Sequence, residues 1–448
     1  MGTSSEPVEV RGGTVGLGPW SVTAARDLAG VLHVGGVPTT ELARVHGTPL
    51  WVVDETDLRA RCRAYRDAFT GAEVAYASKA WCTIGILQLV DEEGLWVDVV
   101  SGGELHTARL AGIPMGRVVF HGNNKSEEEL RLAAELGVGR VVVDSFDELD
   151  RLERIGREVG CRFPCWIRVT PGIDAHTHDY VRTGQDDTKF GFTLSLGLAE
   201  EMVARASAFD HVVLMGAHAH VGSQIFGTHA FVAASEVMVS FLADCRSRFG
   251  LELTELNLGG GMGIRYTHED HPLDVHHLAT ALLDAVAEAC SRFELPSPKL
   301  FVEPGRAIVG PSTLTLYRVG TVKVLPGIRT YASVDGGMSD NIRPALYGAE
   351  HEVALANRTG DGRAPYTVVG KHCESGDIVA LNASLPPDVR PGDLLAVAAT
   401  GAYTESMASN YNRLPRPAAV IVRDGEVRPL IRRETYEDLV ARDVPLQR

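Results

Sequence analysis

At 448 residues, with 45% hydrophobic and 23% charged side chains, the chain exceeds one ordinary domain and has the composition of a soluble globular protein. No uninterrupted apolar run approaches the roughly 20 residues that a membrane helix needs. A formal net charge of -15 speaks against nucleic acid or an anionic membrane as partner, although a local arginine cluster can still receive a small anion.

The cysteines, seven in number and irregularly spaced, read as reduced cytosolic thiols. Cys161 and Cys165 lie close together, but no second pair follows to complete a zinc site. His176 and His178, His218 and His220, and His276 and His277 have no supporting carboxylate or cysteine pattern, so no metal is expected. Met1 to Gly13 lacks both a basic start and an apolar core, which reads as no secretion signal and a cytoplasmic location.

From Val8 to Val53 the pattern is of short strand-like pieces around glycine, one amphipathic helix over Thr39 to His46, and an apolar strand from Pro49 to Val53. Asp54 caps a helical pattern that runs to about Phe69. Apolar strands then recur with helical stretches between them: Val74 to Ala77, Trp96 to Val100, Val118 to His121, Val141 to Asp144, Trp166 to Val169, Val212 to His218, Leu256 to Leu258 and Leu300 to Val302. Nearly continuous apolar strands alternating with helices imply parallel pairing, and eight such units over roughly 250 residues have the size of a (β/α)8 barrel.

After Pro311 the rhythm changes. Strand patterns over Leu314 to Val324, Arg329 to Val334, Tyr366 to Val369, Asp377 to Leu381, Leu394 to Ala398 and Ala418 to Val422 follow without long helices, broken by Pro326-Gly327, Pro386-Pro387 and Pro391-Gly392. The expected architecture is α/β plus β. A barrel spans 54–311, and a second, mostly antiparallel β domain is formed by 312–448 with 1–53.

The chemistry gathers at or just after the carboxyl ends of the barrel strands, where barrel enzymes place their sites. Val74-Ala75-Tyr76-Ala77-Ser78-Lys79-Ala80 puts a lysine after the first strand; a deprotonated amine there could hold a carbonyl cofactor as a Schiff base. Alone, such a lysine is ordinarily a solvated strand end. Leu256-Asn257-Leu258-Gly259-Gly260-Gly261 follows the seventh strand, where glycines can close backbone amides on a phosphate or simply make a tight corner. Glu303, after the eighth, can keep a pyridine nitrogen protonated or serve as a buried ion-pair partner. His220, after the sixth, can lie on a ring face or sit as a core histidine. Convergence of these four on one barrel mouth favours the functional readings.

The sequence resembles the diaminopimelate decarboxylases, pyridoxal-phosphate enzymes with an alanine-racemase-like barrel and a β domain. The resemblance runs from about Pro38 to Glu437 and rests on Tyr76-Ala77-Ser78-Lys79-Ala80, Val99-Val100-Ser101-Gly102-Gly103-Glu104-Leu105, His121-Gly122-Asn123-Asn124-Lys125-Ser126 and His220-Val221-Gly222-Ser223-Gln224. It continues through Gly259-Gly260-Gly261, Glu303-Pro304-Gly305-Arg306, Asp335-Gly336-Gly337-Met338, Cys373-Glu374-Ser375-Gly376-Asp377 and Gly401-Ala402-Tyr403.

The resemblance implies that Lys79 carries pyridoxal 5'-phosphate, His220 stacks on its ring, Glu303 pairs with the ring nitrogen, and Ser223, Gly259, Gly260, Gly261 and Tyr403 hold the phosphate. It also implies a homodimer in which Cys373 and Glu374 reach the partner's site. An amino-acid substrate with a distant carboxylate and ammonium would engage Arg343, with Tyr347 one turn on, and Glu374. Tyr403 also borders the substrate in this reading, and Arg306 could serve phosphate or substrate. Cys373 and Lys79 are the candidate proton donors.

Trp81 and Thr404-Glu405 depart from the family's pattern and could alter the pocket rim, whereas Asn410-Tyr411-Asn412 retains it. The loop Pro171 to Phe190 could close over substrate or merely cap the barrel. Competing readings are a decarboxylase of ornithine, arginine or carboxynorspermidine, which would have no use for Arg343 as a carboxylate clamp, a racemase, which would need a second catalytic base and not Cys373 and Glu374, and a non-catalytic regulator, which would be expected to lose Lys79 or the phosphate turn.

Overall fold

The computed structural model describes residues 18–173 and 187–446. It divides into two compact units, one of Arg61–Gly263 with Pro272–Ala307, the other of the chain up to Ala60, Ile264–His271 and Ile308 onward. Most of the loop 171–190 and the first residues of the chain lie outside the described residues.

In the first unit eight strands pair in parallel: Glu73–Ala77, Trp96–Val99, Val118–Phe120, Arg140–Val143, Phe163–Thr170, Val212–His218, Glu255–Asn257 and Lys299–Val302. Each pairs with the next, and the eighth returns to the first through Phe301↔Glu73, which closes the barrel. The eight expected strands are thus all present, with ends shifted by a residue or a few. Helices alternate with them and cover their outer faces, which is why the strands are apolar on both sides.

Local chemistry sets the helix limits. Ser126 caps Glu127–Leu136 by accepting from the Glu129 amide, and Glu129 returns the bond to the Ser126 amide at 2.8 Å. Ser145 caps Phe146–Val159 in the same position, and Gly160 ends that helix in the left-handed conformation. Lys125 is wholly buried, its Nζ donating to Glu148 at 2.6 Å and to the carbonyls of Gly122 and Val142 at 2.8 Å. With every donor of the ammonium satisfied, its charge locks the loop after the third strand onto the fourth.

The lower half of the barrel is filled by Ala75, Trp96, Val119, Val142, Trp166 and Phe301. Phe301 meets Trp96 and Trp166 edge-on at ring separations of 5.2 and 4.7 Å. No two of strands two, five and eight are neighbours, so these rings touch across the interior.

In the other unit the long strand Thr313–Leu325 pairs antiparallel with Leu50–Asp54, Arg329–Val334 and Leu394–Val397. The N-terminal segment therefore does complete this sheet. Pairing is mostly antiparallel, as expected, with two parallel pairs: Leu50–Asp54 runs parallel to Ala418–Arg423, and Arg329–Val334 parallel to Ala364–Val369. The sheet is mixed because strands distant in sequence are inserted beside one another. The helix Thr39–His46 lies where its pattern indicated, and Asp54 Oδ1 accepts from the Asp57 amide at 3.2 Å to start Glu55–Ala68. Two strands, Val353–Leu355 and Glu426–Ile431, escaped the sequence reading, the first for its brevity and the second for its exposed polar face. No helix among the described residues is long and apolar enough to cross a membrane.

Candidate active site

Side chains two apart on a strand share a face. Stepping two residues from the filled interior layer toward the carboxyl ends therefore leads from Trp96 to Asp98, from Val119 to His121, from Val142 to Asp144, from Trp166 to Arg168 and from Phe301 to Glu303. An apolar floor is thus topped by a polar layer inside the same barrel, joined by Asn257 and His218 from the seventh and sixth strands.

Glu303 is the hub of that layer. Its Oε1 accepts from His121 Nε2 at 2.7 Å and from Asn257 Nδ2 at 2.6 Å, and its Oε2 accepts from His218 Nε2 at 3.2 Å. Burial opposes its charge, but the two imidazoles and their hydrogen bonds outweigh that and hold the carboxyl well below the usual carboxylate range. Burial drives His218 down to about 3, so it donates as a neutral ring. Asn257 turns its other end to the glycine corner, where Oδ1 accepts from the Gly259 amide at 2.8 Å.

Lys79 follows the first strand, two residues past its end at Ala77, in the tight turn Ser78–Ala80. The turn is tied down by Glu104, which accepts from Ser78 Oγ at 3.2 Å and from the Val100 amide at 2.7 Å. Lys79 Nζ lies 3.6 Å from Asp98 Oδ2, and burial raises the pKa of that carboxyl. His220 is partly buried, and desolvation followed by the charges of Lys79 and Arg168 holds it well below its ordinary pKa. A neutral ring suits its hydrogen bond, because Nδ1 accepts from the Gly260 amide at 3.2 Å.

The sequence model of the family described as "Pyridoxal-dependent decarboxylase, pyridoxal binding domain" matches residues 55–310. Diaminopimelate decarboxylase of Bacillus subtilis (strain 168) is 48% identical over 430 residues, covering 95% of this chain and 98% of its own. The chain belongs to the diaminopimelate decarboxylase family. Crystal structures agree: that of the M. jannaschii diaminopimelate decarboxylase in co-complex with L-lysine superposes with a TM-score of 0.90 at 32% identity, covering 95% of this chain and 98% of that one. The Helicobacter pylori enzyme complexed with L-lysine gives 0.83 at 32% identity, covering 90% and 98%.

The family is pyridoxal-phosphate-dependent, and the residues present fit that group. A carboxylate offers about four lone-pair positions. With two on Oε1 and one on Oε2 occupied, Glu303 keeps one on Oε2 for a pyridinium N–H. The glycine corner is equally specific: a Cβ on Gly260 would fall 2.0 Å from the Glu303 carbonyl oxygen, and one on Gly261 would fall 2.1 Å from that of Gly222. Only glycine lets these backbones approach. The amides of Gly259 and Gly260 are spent inside the protein, on Asn257 and His220, so the corner orients those two side chains as well as shaping an anion cradle. Arg306 Nη2 donates to Ser223 Oγ at 3.0 Å, which brings these two side chains together.

The remaining sequence-derived residues lie in the other unit. Arg343 is buried, its guanidinium over the rings of Tyr266 and Tyr347 at 4.8 and 5.9 Å. Cys373 and Glu374 are exposed, and Tyr403 adopts a left-handed φ of 59°. Trp81 is fully buried and its carbonyl accepts from Tyr76 Oη, which makes it packing beneath the lysine turn rather than part of a rim. Thr404 is likewise buried, while burial lifts Glu405 to about 7.

Sequence reasoning gave no roles to Asp98, His121, Arg168, His218 and Asn257. The step of two from the apolar interior layer would have found the strand residues among them. His121, His218 and Glu303 also place donor atoms within 4.8 Å of one another, the arrangement of a metal site, but Glu303 accepts directly from both rings. His176 and His178 lie outside the described residues.

Proposed function

We propose that the chain removes one carboxylate of meso-2,6-diaminopimelate as carbon dioxide to give L-lysine, the last step of lysine formation. The observation that carries this is the single open acceptor position on a buried, ionised Glu303 at the mouth of a barrel that also presents Lys79. Two solved relatives are complexes with L-lysine, which is what diaminopimelate becomes on losing one carboxyl. Bound pyridoxal phosphate supplies the sink for the electron pair left when the carbon–carboxylate bond breaks.

The chain's own residues do the rest. Lys79 would hold the cofactor through its amine, and Asp98, 3.6 Å from that amine, would fix its position. Glu303, fixed by His121, His218 and Asn257, keeps the ring nitrogen protonated. His220, neutral and aimed by Gly260, would pack on the cofactor's ring. Ser223, Arg306, Gly261 and Tyr403 would receive the phosphate, in the cradle that Gly259 and Gly260 shape without donating to it. Arg343, packed against the rings of Tyr266 and Tyr347, takes the distal carboxylate and Glu374 the distal ammonium. Cys373 or Lys79 returns a proton to the carbon. Cys373 and Glu374 act on the partner's site in a homodimer.

A substrate screen tests the reading. kcat/KM for diaminopimelate should exceed that for ornithine and arginine by about 10⁴, because a site built for a buried charged group leaves its own groups unpaired without it. Comparable values would replace this reading with a polyamine-type decarboxylase.

A further inference from the structure

The loop carrying Cys373 and Glu374 is held by a buried pair that no role above uses. In Gly370-Lys371-His372-Cys373-Glu374-Ser375-Gly376-Asp377 the two exposed residues lie between a histidine and an aspartate that are both buried. Asp377 Oδ2 accepts from the His372 amide at 2.8 Å and from His372 Nδ1 at 2.9 Å, while Oδ1 accepts from the Met338 amide at 2.7 Å. The loop closes on itself at the same residue, through Gly370 N to Asp377 O at 3.0 Å and Asp377 N to Glu374 O at 3.2 Å. The carboxylate is tightly housed: a Cβ on Gly370 or Gly337 would come within 2.2 or 2.3 Å of its oxygens.

The imidazole also has a packed face. It stacks on Tyr411 with ring centroids 5.6 Å apart and planes 5° from parallel. The next residue, Asn412, accepts from the Cys373 amide at 2.9 Å. Cys373 is thus gripped through its own amide from one turn and through its neighbour's ring from the same turn. The His372 side chain is 0% exposed, so it cannot meet substrate in this unit. Its Nε2 finds no partner among the described residues, which leaves Nδ1–H to Asp377 as the ring's single hydrogen bond.

We infer that the His372–Asp377 pair, with Tyr411 against the ring, is the positioning device that presents Cys373 and Glu374 to the reaction. This rests on the reading that those two side chains meet substrate. Neither His372 nor Asp377 touches a reacting atom; a buried carboxylate that collects three N–H donors from two loops removes the freedom the exposed tip would otherwise have. The tip can then be exposed without being loose.

The test uses the purified holoenzyme with His372→Leu, which keeps bulk and removes the donor, His372→Asn, whose Nδ2 can stand near the place of Nδ1, and Tyr411→Leu, which removes the stack from a partly exposed position. Hydrogen exchange at the amides of Met338, His372 and Cys373 is read beside kcat/KM and the visible absorbance of bound cofactor. In His372→Leu, exchange should quicken by about tenfold or more at these amides, since it reports local opening. kcat/KM should fall by about 10- to 100-fold with the absorbance intact, the scale expected for a misplaced group. His372→Asn should recover to within about threefold on both readouts, and Tyr411→Leu should lie between. Native exchange at Cys373 in His372→Leu, or His372→Asn as impaired as His372→Leu, overturns the inference. If His372→Leu does not fold, native exchange in Tyr411→Leu does so. Exchange is measured without substrate, so quickened exchange upholds the anchoring even if the assignment of diaminopimelate fails.

Discussion

Replacing Glu303 by glutamine tests the centre of the site, because the change keeps the volume and removes one acceptor and the charge. The three donors on Glu303 use both oxygens, so an amide must face at least one of them with its NH2. The least costly orientation points NH2 at His218, which carries a single bond to Glu303; the alternative loses His121 and Asn257 together. His218 would then have to shift its proton to Nδ1, which meets no partner among the described residues. A buried polar group left unpaired costs about 1–3 kcal/mol, and stability should fall by that much.

Activity should fall further. The amide offers no negative charge to the ring nitrogen, and losing one preorganised electrostatic partner typically lowers kcat by about 10²–10³-fold. Glu303→Asp, which keeps the charge but withdraws it by one methylene, should lie between. The assay is steady-state decarboxylation together with the visible spectrum of the reconstituted protein, which should shift as the ring nitrogen loses its proton. A Glu303→Gln variant with native kcat and native spectrum would refute the pairing of Glu303 with the cofactor and leave the cluster a structural one.

Other expectations follow from the same geometry. Borohydride reduction of the reconstituted protein should fix the cofactor to Lys79 and to no other lysine, as peptide mapping will show. Lys79→Ala and Cys373→Ala should each be nearly inactive, yet a mixture allowed to exchange subunits should regain part of the activity, since some dimers hold one intact site; a dead mixture with demonstrated exchange excludes the shared site. Arg343→Ala should cripple turnover of diaminopimelate without altering the cofactor spectrum, and Arg343→Lys should recover little because an ammonium cannot make two parallel hydrogen bonds. Burial raises Asp340 from its ordinary value near 3.8 to about 7. The folded state therefore binds the extra proton, so this group's contribution falls as pH rises from about 4 to 7, by about 4 kcal/mol at 1.36 kcal/mol per unit. Urea midpoints of the native protein and Asp340→Asn should converge toward pH 4 and separate above pH 7, with the variant gaining relative to the native protein; a separation that does not change with pH would refute the shift.

The sequence by itself determined the barrel strands, because a strand covered by helices must be apolar along its whole length and parallel strands must be separated by a helical crossover. It also singled out Lys79, Glu303 and the glycine corner as candidates, since an amine, a carboxylate and a backbone without side chains have few substitutes for the chemistry proposed for them. It could not show that Glu303 is held by His121, His218 and Asn257, residues 182, 85 and 46 positions away in the chain. Nor could it show that Trp81 is core, that two pairings in the mixed sheet are parallel, or that Asp377 closes under His372. Each depends on which distant segments become neighbours, and that is decided only when the sheet closes and buried donors must find acceptors wherever the fold has brought them.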